Sequence, residues 1–323
     1  MELPALGIDV GKKSIHVAVI LENRKRNRNF NNDEAGHAEL LAWLVEHKFE
    51  RVHACLESTG GWSEAVATVL VDAGHVVSIV NPARIKAFGK TELVRTKNDR
   101  VDAALIARFC ALHRPSAWVP PTPQIRLLQG LARRREALVD IRAQEITRLQ
   151  SPGLEKPIAE SIQQLITTLD SQITEIERQI RALINDDPDL RLKRDLLTSI
   201  DGIGELTAQM FLAEIPNLEQ LRNIKAIGAY LGLAPREHQS GLSAGRSRLS
   251  KIGNARLRHA LYWPAIVAMR HNSVIRRFAQ RLLNAGKPRM LVIAAAMRKL
   301  ACLAYAVVRS GQPFDATRSA EAT

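Results

Sequence analysis

Over the first 120 residues, apolar and polar positions fall into short segments. Ala5 to Val10 is a brief apolar run, Gly11-Lys12-Lys13 reads as a turn, and Ser14 to Leu21 alternates before running apolar, which predicts a β-hairpin. Asn31 to Asp33 offer capping side chains for a helix over Glu34 to His47, with Leu40, Leu41, Leu44 and Val45 on one face. Val52 to Leu56 and Val76 to Val80 read as strands. Between them lie a Ser-Thr-Gly-Gly turn and a helix from Trp62 to Ala73, which Gly74 is placed to end. Asn81-Pro82 stops the last strand, Asn98 to Leu112 forms a helix, and proline-rich Pro115 to Pro123 closes the unit. A hairpin followed by strand-helix alternation predicts a mixed sheet with helices on its faces.

Beyond this unit the period changes. Gln124 to Leu149 and Leu154 to Ile184 carry Leu and Ile at spacings of three and four with charge between, and Ser151-Pro152-Gly153 joins them. An antiparallel coiled-coil arm or dimerisation element and a plain packed helical pair both fit that pattern. Past Asp186-Asp187-Pro188 the chain is helical with small-residue loops. There Ile200-Asp201-Gly202-Ile203-Gly204 resembles a helix-hairpin-helix turn, whose backbone amides can hold a phosphate; a plain interhelical turn reads the same way. The expected domains are residues 1–122, 123–189 and 190–323.

Charge separates these segments. Residues 190–323 hold 21 basic and 8 acidic side chains, a surplus of 13 that equals the formal net charge of the whole chain. A surplus confined to one end points to a polyanion gripped there, with nucleic acid the first candidate, rather than to a uniformly basic surface. The cysteines, at 55, 110 and 302, form no C-x-x-C pair, which indicates neither a disulfide framework nor a zinc site and suits a reduced, cytoplasmic setting. The apolar stretches around Ala260 to Met269 and Met290 to Met297 read as shorter than the roughly 18 residues of a membrane span, so no membrane partner is expected.

Four acidic residues sit where a metal site needs them. Asp9 lies on the first strand, Glu57 at the end of the Val52 strand, and Asp99 and Asp102 lie three apart on one helix face. Phosphodiester cleavage requires neutralising developing charge, which two Mg2+ ions about 4 Å apart on clustered carboxylates supply. Asp99 alone could serve the helix dipole and Asp102 a neighbouring Arg. Asp9, inside an apolar strand, is costly to bury without a role. Gly7-Ile8-Asp9-Val10-Gly11 also suits the first phosphate loop of sugar kinases and actin-like ATPases, but the second Asp-x-Gly turn and the adenosine loop of those folds do not follow.

The basic end carries a small polar loop. Gly232-Leu233-Ala234-Pro235-Arg236 leads into Gln239-Ser240-Gly241 and on to Arg246, Arg248, Lys251 and a helix bearing Arg256 and Arg258. These cations, with Arg236, are candidate nucleic-acid contacts. Read from composition alone, such a loop contacts phosphates.

Taken in order, several motifs resemble the DEDD insertion-sequence transposases, the bridge-RNA-guided recombinases. They are Gly-Ile-Asp near the start, Leu56-Glu57-Ser58-Thr59-Gly60, Asn81-Pro82, Lys97-Asn98-Asp99-x-x-Asp102-Ala103, Gly202-Ile203-Gly204, Gly232-Leu233-Ala234-Pro235, Ser240-Gly241, Ser250-Lys251-x-Gly253-Asn254 and Leu257-Arg258-x-Ala260-Leu261. The match runs from about residue 5 to residue 315. The resemblance implies an α/β RuvC-like (ribonuclease H-like) N-terminal domain, a helical coiled-coil arm and a mainly α-helical C-terminal transposase domain. It assigns Asp9, Glu57, Asp99 and Asp102 to Mg2+, with Mn2+ as a substitute, and makes Ser240 a nucleophile forming a 5′-phosphoserine link; Ser243 stays open as the alternative. The implied partners are double-stranded donor and target DNA, a non-coding bridge RNA, and further copies of the chain in a dimer to tetramer. The rival readings are a RuvC-like structure-selective endonuclease in which water attacks, and a nucleic-acid-binding scaffold without chemistry.

Overall fold

The protein is described from a computed structural model, covering residues 3–21, 24–58, 61–93, 98–215, 217–221, 223–236, 239–240, 243–244 and 248–317. It divides into two compact units, Met1–Pro120 and Pro121–Thr323.

The first unit is a five-stranded sheet in the order β3-β2-β1-β4-β5. Strands β1 (Ala5–Val10), β2 (Ser14–Leu21) and β3 (Arg24–Asn31) run antiparallel, and β4 (His53–Glu57) and β5 (Val76–Val80) continue parallel from β1. Strand β3 was not expected. Its sequence, RKRNRNFN, lacks apolar alternation because it is an edge strand from which Phe30 alone is buried among the described side chains. Helix α1 (Glu34–Glu46) starts at Asp33, whose Oδ1 accepts the Gly36 N–H at 2.8 Å. Its buried face holds Leu40, Trp43 and Leu44, while Val45, expected inside, is 74% exposed. Helix α2 (Gly61–Asp72) follows β4, and Gly74 beyond it takes φ 85°, the left-handed conformation of a helix stop.

Asn81 does more than stop β5. It caps a further helix, α3 (Pro82–Thr91), with proline at its first position. Asn98 then caps α4 (Asp99–His113) by accepting the Val101 N–H at 2.9 Å. One core of this unit gathers Leu6, Ile8, Ile15, Val17, Leu40, Leu44, Val66 and Leu70. The opposite face of the sheet is covered by α4, where Ala18 packs with Ala103, Ala104 and Ala107.

The second unit is helical. Helices α5 (Pro123–Leu149) and α6 (Lys156–Asp186) pack as an antiparallel pair, with Arg135 bonded to Glu177 and Arg142 to Asp170 across it. Leu138, Leu169 and Ile173 form a seam of their own, whereas Ile125, Leu128, Ile180 and Ile184 join the main core. That core is completed by α7 (Pro188–Thr198), α8 (Glu205–Glu214), a 3-10 turn at Leu218–Gln220, α9 (Ile224–Tyr230) and the helices α10 (Ala255–Ala260), α11 (Tyr262–His271), α12 (Ser273–Asn284) and α13 (Arg289–Ser310), whereas the short strands β6 (Pro235–Arg236), β7 (Gln239–Ser240), β8 (Ser243–Ala244) and β9 (Arg248–Leu249), between α9 and α10, contribute no residue to it. The apolar stretch at Met290 is longer than its sequence suggested. By length and composition alone the 22-residue α13 would span a membrane, but it is a mostly buried core helix.

Candidate functional site

Gly7 fixes the geometry of the carboxylates. A Cβ on it would lie 2.1 Å from the Ala103 carbonyl and 2.2 Å from the Ala107 amide, so α4 crosses the sheet in direct backbone contact with β1. Side chains alternate along a strand, so Asp9 projects to the same side as Gly7. The register sets His16 opposite Asp9, and Gly7 and Ile8 opposite Cys55 and Leu56. One step further, Glu57 falls beside Asp9. Cys55, two residues before Glu57, packs with Leu105, Ile106 and Phe109 of α4, which places that strand's odd-numbered side chains on the same side.

Asp99 and Asp102 occupy the first turn of α4, where the helix dipole favours negative charge. All four acidic positions thus share one face and one end of the sheet. Asp9, Glu57 and Asp102 are half-buried and Asp99 is exposed. Among the described residues, no three His, Cys, Asp or Glu side chains close into a metal-holding group. Like charges repel, and Asp99 turns instead to His16, with Nδ1 to Oδ2 at 3.5 Å. The three-residue turn read from Gly11-Lys12-Lys13 would set Asp9 opposite Ile15; instead the Gly11 N–H donates to the Ser14 carbonyl at 2.9 Å, and this tighter turn sets Asp9 opposite His16.

In the second unit the two motifs flanking the polar loop lock together. The Ser250 and Lys251 N–H groups donate to the Ala234 and Gly232 carbonyls at 2.9 and 3.0 Å, and the Asn254 N–H donates to the Tyr230 carbonyl at 2.6 Å. Gly253, at φ 150°, would place a Cβ 2.3 Å from the same carbonyl. The Asn254 side chain accepts the Leu257 N–H and donates to Glu214 Oε2 at 2.6 Å.

From this base rise two nested ribbons. Pro235 and Arg236 pair with Leu249 and Arg248, and further out Gln239 and Ser240 pair with Ala244 and Ser243. Ser240 and Ser243 are therefore register partners at the outer ribbon. Their side chains, that of Arg236, and all of Arg246 lie outside the described residues. Among the other cations, Arg248 is exposed. Lys251 takes a left-handed φ of 56°. Arg258 Nη1 donates to the Leu231 and Lys251 carbonyls at 2.9 and 3.3 Å, and Arg256 pairs with Glu136 at 3.4 Å and Glu214 at 3.8 Å.

At the helix-hairpin-helix-like turn, Gly202 has φ 104°, and a Cβ there would meet the Ala268 Cβ at 2.6 Å. The Asn272 amide donates to the Asp201 carbonyl at 3.3 Å. One side of the turn is thereby packed on α11.

Comparison with known proteins accounts for both motif sets. A DEDD-type IS110 transposase model matches residues 6–152, and the model of the IS116/IS110/IS902 transposase family matches residues 194–280. Over 314 residues the chain is 35% identical to the pilin gene-inverting protein of Moraxella lacunata, covering 96% of this chain and 97% of that protein. The chain belongs to the IS110 family of transposases.

The pilin gene-inverting protein of Moraxella bovis shares the same identity and coverage. The transposase of insertion sequence IS1328 from Yersinia enterocolitica is 26% identical over 343 residues, 96% of this chain and 98% of that one. As an IS110-family member the protein is a DNA transposase, an enzyme of DNA recombination. The first matched segment spans all four acidic positions, and the second spans the Gly202 turn and both serines.

Proposed function

We propose that this transposase cuts and rejoins DNA strands through a covalent phosphoserine intermediate, with Asp9, Glu57, Asp99 and Asp102 as its carboxylate set and Ser240 as its nucleophile. The observation that carries the reading is the convergence of four acidic positions on one end of the α4-covered face, held there by the backbone contact at Gly7. Carboxylate oxygens are hard donors suited to Mg2+ or Mn2+. Bound there, such an ion would neutralise charge developing on the reacting phosphate.

Ser240 Oγ attacks phosphorus and its proton leaves; the P–O3′ bond breaks, giving a 3′-hydroxyl and a 5′-phosphoserine. The 3′-hydroxyl of the exchanged strand then attacks the phosphoserine, which restores the serine. Cations beside such a loop stabilise the pentavalent transition state, and Arg236, Arg246, Arg248 and Lys251 flank Ser240 in sequence. Exchange of joined strands also fits relatives named for gene inversion.

In this reading residues 1–122 form a RuvC-like domain, α5 and α6 a coiled-coil arm across 123–189, and residues 190–323 the serine-bearing domain. A non-coding bridge RNA selects double-stranded donor and target DNA, and a dimer or tetramer forms the synapse in the cytoplasm. The support for guidance and assembly is the motif order shared with the bridge-RNA-guided recombinases.

The test is a denaturing gel of protein, RNA encoded beside the gene, labelled donor and target DNA, and Mg2+. Wild type should yield a labelled band at protein mass, absent in Ser240→Ala and in Asp102→Asn. An adduct that persists in Ser240→Ala and vanishes in Ser243→Ala transfers the nucleophile's role to Ser243. Free nicked DNA with no adduct overturns serine chemistry and favours water attack of the RuvC kind.

A further inference from the structure

A cavity of about 740 Å3 in the second unit opens between the β6–β9 ribbon and α13. That volume lies within the ~300–1,000 Å3 span of small-molecule sites. Its walls are mainly apolar, including Tyr262, Phe278, Met290 and Leu291, and Met290 and Leu291 are 64% and 49% exposed. Four cations also line it, Arg248, Arg258, Arg298 and Lys299, and among the described lining residues there is no carboxylate. Residues 251–300 as a whole contain eleven basic and no acidic side chains.

Apolar walls with a purely cationic complement fit a ligand that is flat, uncharged and apolar in one part and anionic in the next. A nucleotide lifted out of its stack has that constitution, since every base offers a π-face and phosphates flank it on both sides. Two copies meeting face to face through this cavity fit poorly, because each would bring the same acid-free, cationic surface toward the same cations. The position agrees as well, because Pro235, Arg248 and Leu249, the foot of the ribbon that leads to Ser240, form part of the wall.

We propose that this cavity receives an unstacked nucleobase of the DNA, with the adjoining phosphates held by Arg248, Arg298 and Lys299. Arg258 is engaged with the Leu231 and Lys251 carbonyls and shapes the wall. The methionines adapt to different ring outlines, so the site takes bases with little discrimination. The proposal rests on the reading that the basic second unit holds the DNA; it does not require the phosphoserine.

The experiment measures binding of the full-length protein to a short fluorescent single strand and to a strand of equal length in which every nucleotide is abasic. Wild type should bind the base-bearing strand about tenfold more tightly. Ala295→Trp, which fills the cavity from α13, should abolish that preference while leaving abasic binding unchanged. The double variant Met290→Ser/Leu291→Ser removes exposed wall and should act alike should the tryptophan prevent folding. Lys299→Ala should weaken both strands equally and lower the salt dependence of binding by about one counterion.

Equal wild-type affinity for the two strands overturns the base pocket and leaves DNA binding by this unit intact. Failure to bind either strand overturns both. A cavity-filling variant that alters the oligomeric mass and keeps the base preference assigns the cavity to a protein interface, and so overturns the proposal.

Discussion

Gly7→Ala is expected to disable the carboxylate site more than it destabilises the fold. The new methyl group would sit 2.1 Å from the Ala103 carbonyl and 2.2 Å from the Ala107 amide. Both are main-chain atoms in mid-helix, so no side-chain rotation relieves the clash, and α4 must withdraw by about 1 Å to restore ordinary contact. Asp102 precedes Ala103 directly, so Asp99 and Asp102 move with the helix while Asp9 and Glu57 stay on the sheet. Overpacking of this kind costs ~1–3 kcal/mol. A misplacement of about 1 Å at a reacting centre costs on the order of 100-fold in rate.

The assay pairs Mg2+-dependent cleavage of labelled DNA with thermal unfolding, using Val66→Ala as the control. Val66 is fully buried in the core on the opposite face of the sheet, so its truncation removes comparable stability without moving α4. Gly7→Ala should lose about 100-fold in rate and the control less than about threefold, each at a temperature where the protein is folded. A folded Gly7→Ala protein that cleaves at the wild-type rate would refute the claim that the β1–α4 contact sets the site.

Asn254→Ala should lower stability by about 1–2 kcal/mol in urea unfolding, since it removes the cap of α10 and the bond to Glu214; an unchanged midpoint would show the two motifs are not locked through it. Burial holds the His37 imidazole below the usual histidine range, against the opposing pull of Asp33 and Glu34. The unfolded chain therefore takes up that proton first. The stability from this group is complete above about pH 6.5 and falls as the pH drops below it, so the decline in Tm on acidification should be shallower in His37→Gln than in wild type. In hydrogen exchange, amides near Gln150 at the far end of the α5–α6 pair should exchange well before those near Leu128 and Ile184, which belong to the main core. Uniform protection along both helices would count against an independent arm.

The sequence by itself determined most of the local structure. Asp33, Asn81 and Asn98 cap helices because a side-chain oxygen there satisfies an otherwise unpaired backbone amide, a demand set within three residues. The apolar runs of β1, β4 and β5 likewise state their own burial, and the motif order indicated the family. Strand β3 was illegible because an edge strand needs to bury little. Helix α3 is hidden in the sequence because Asn81-Pro82 suits the end of a strand as well as the start of a helix.

The site itself was decided by tertiary structure. Nothing local to Gly7 says that a helix nearly a hundred residues later will cross it in backbone contact, or that His16 will stand opposite Asp9 and reach Asp99. The cavity beside the β6–β9 ribbon is likewise lined from segments between Leu233 and Cys302, each an ordinary stretch of core or surface in isolation. Capping and alternation are settled between neighbours in the chain, whereas juxtaposition across a sheet depends on the register and packing of the whole core, which only the folded chain fixes.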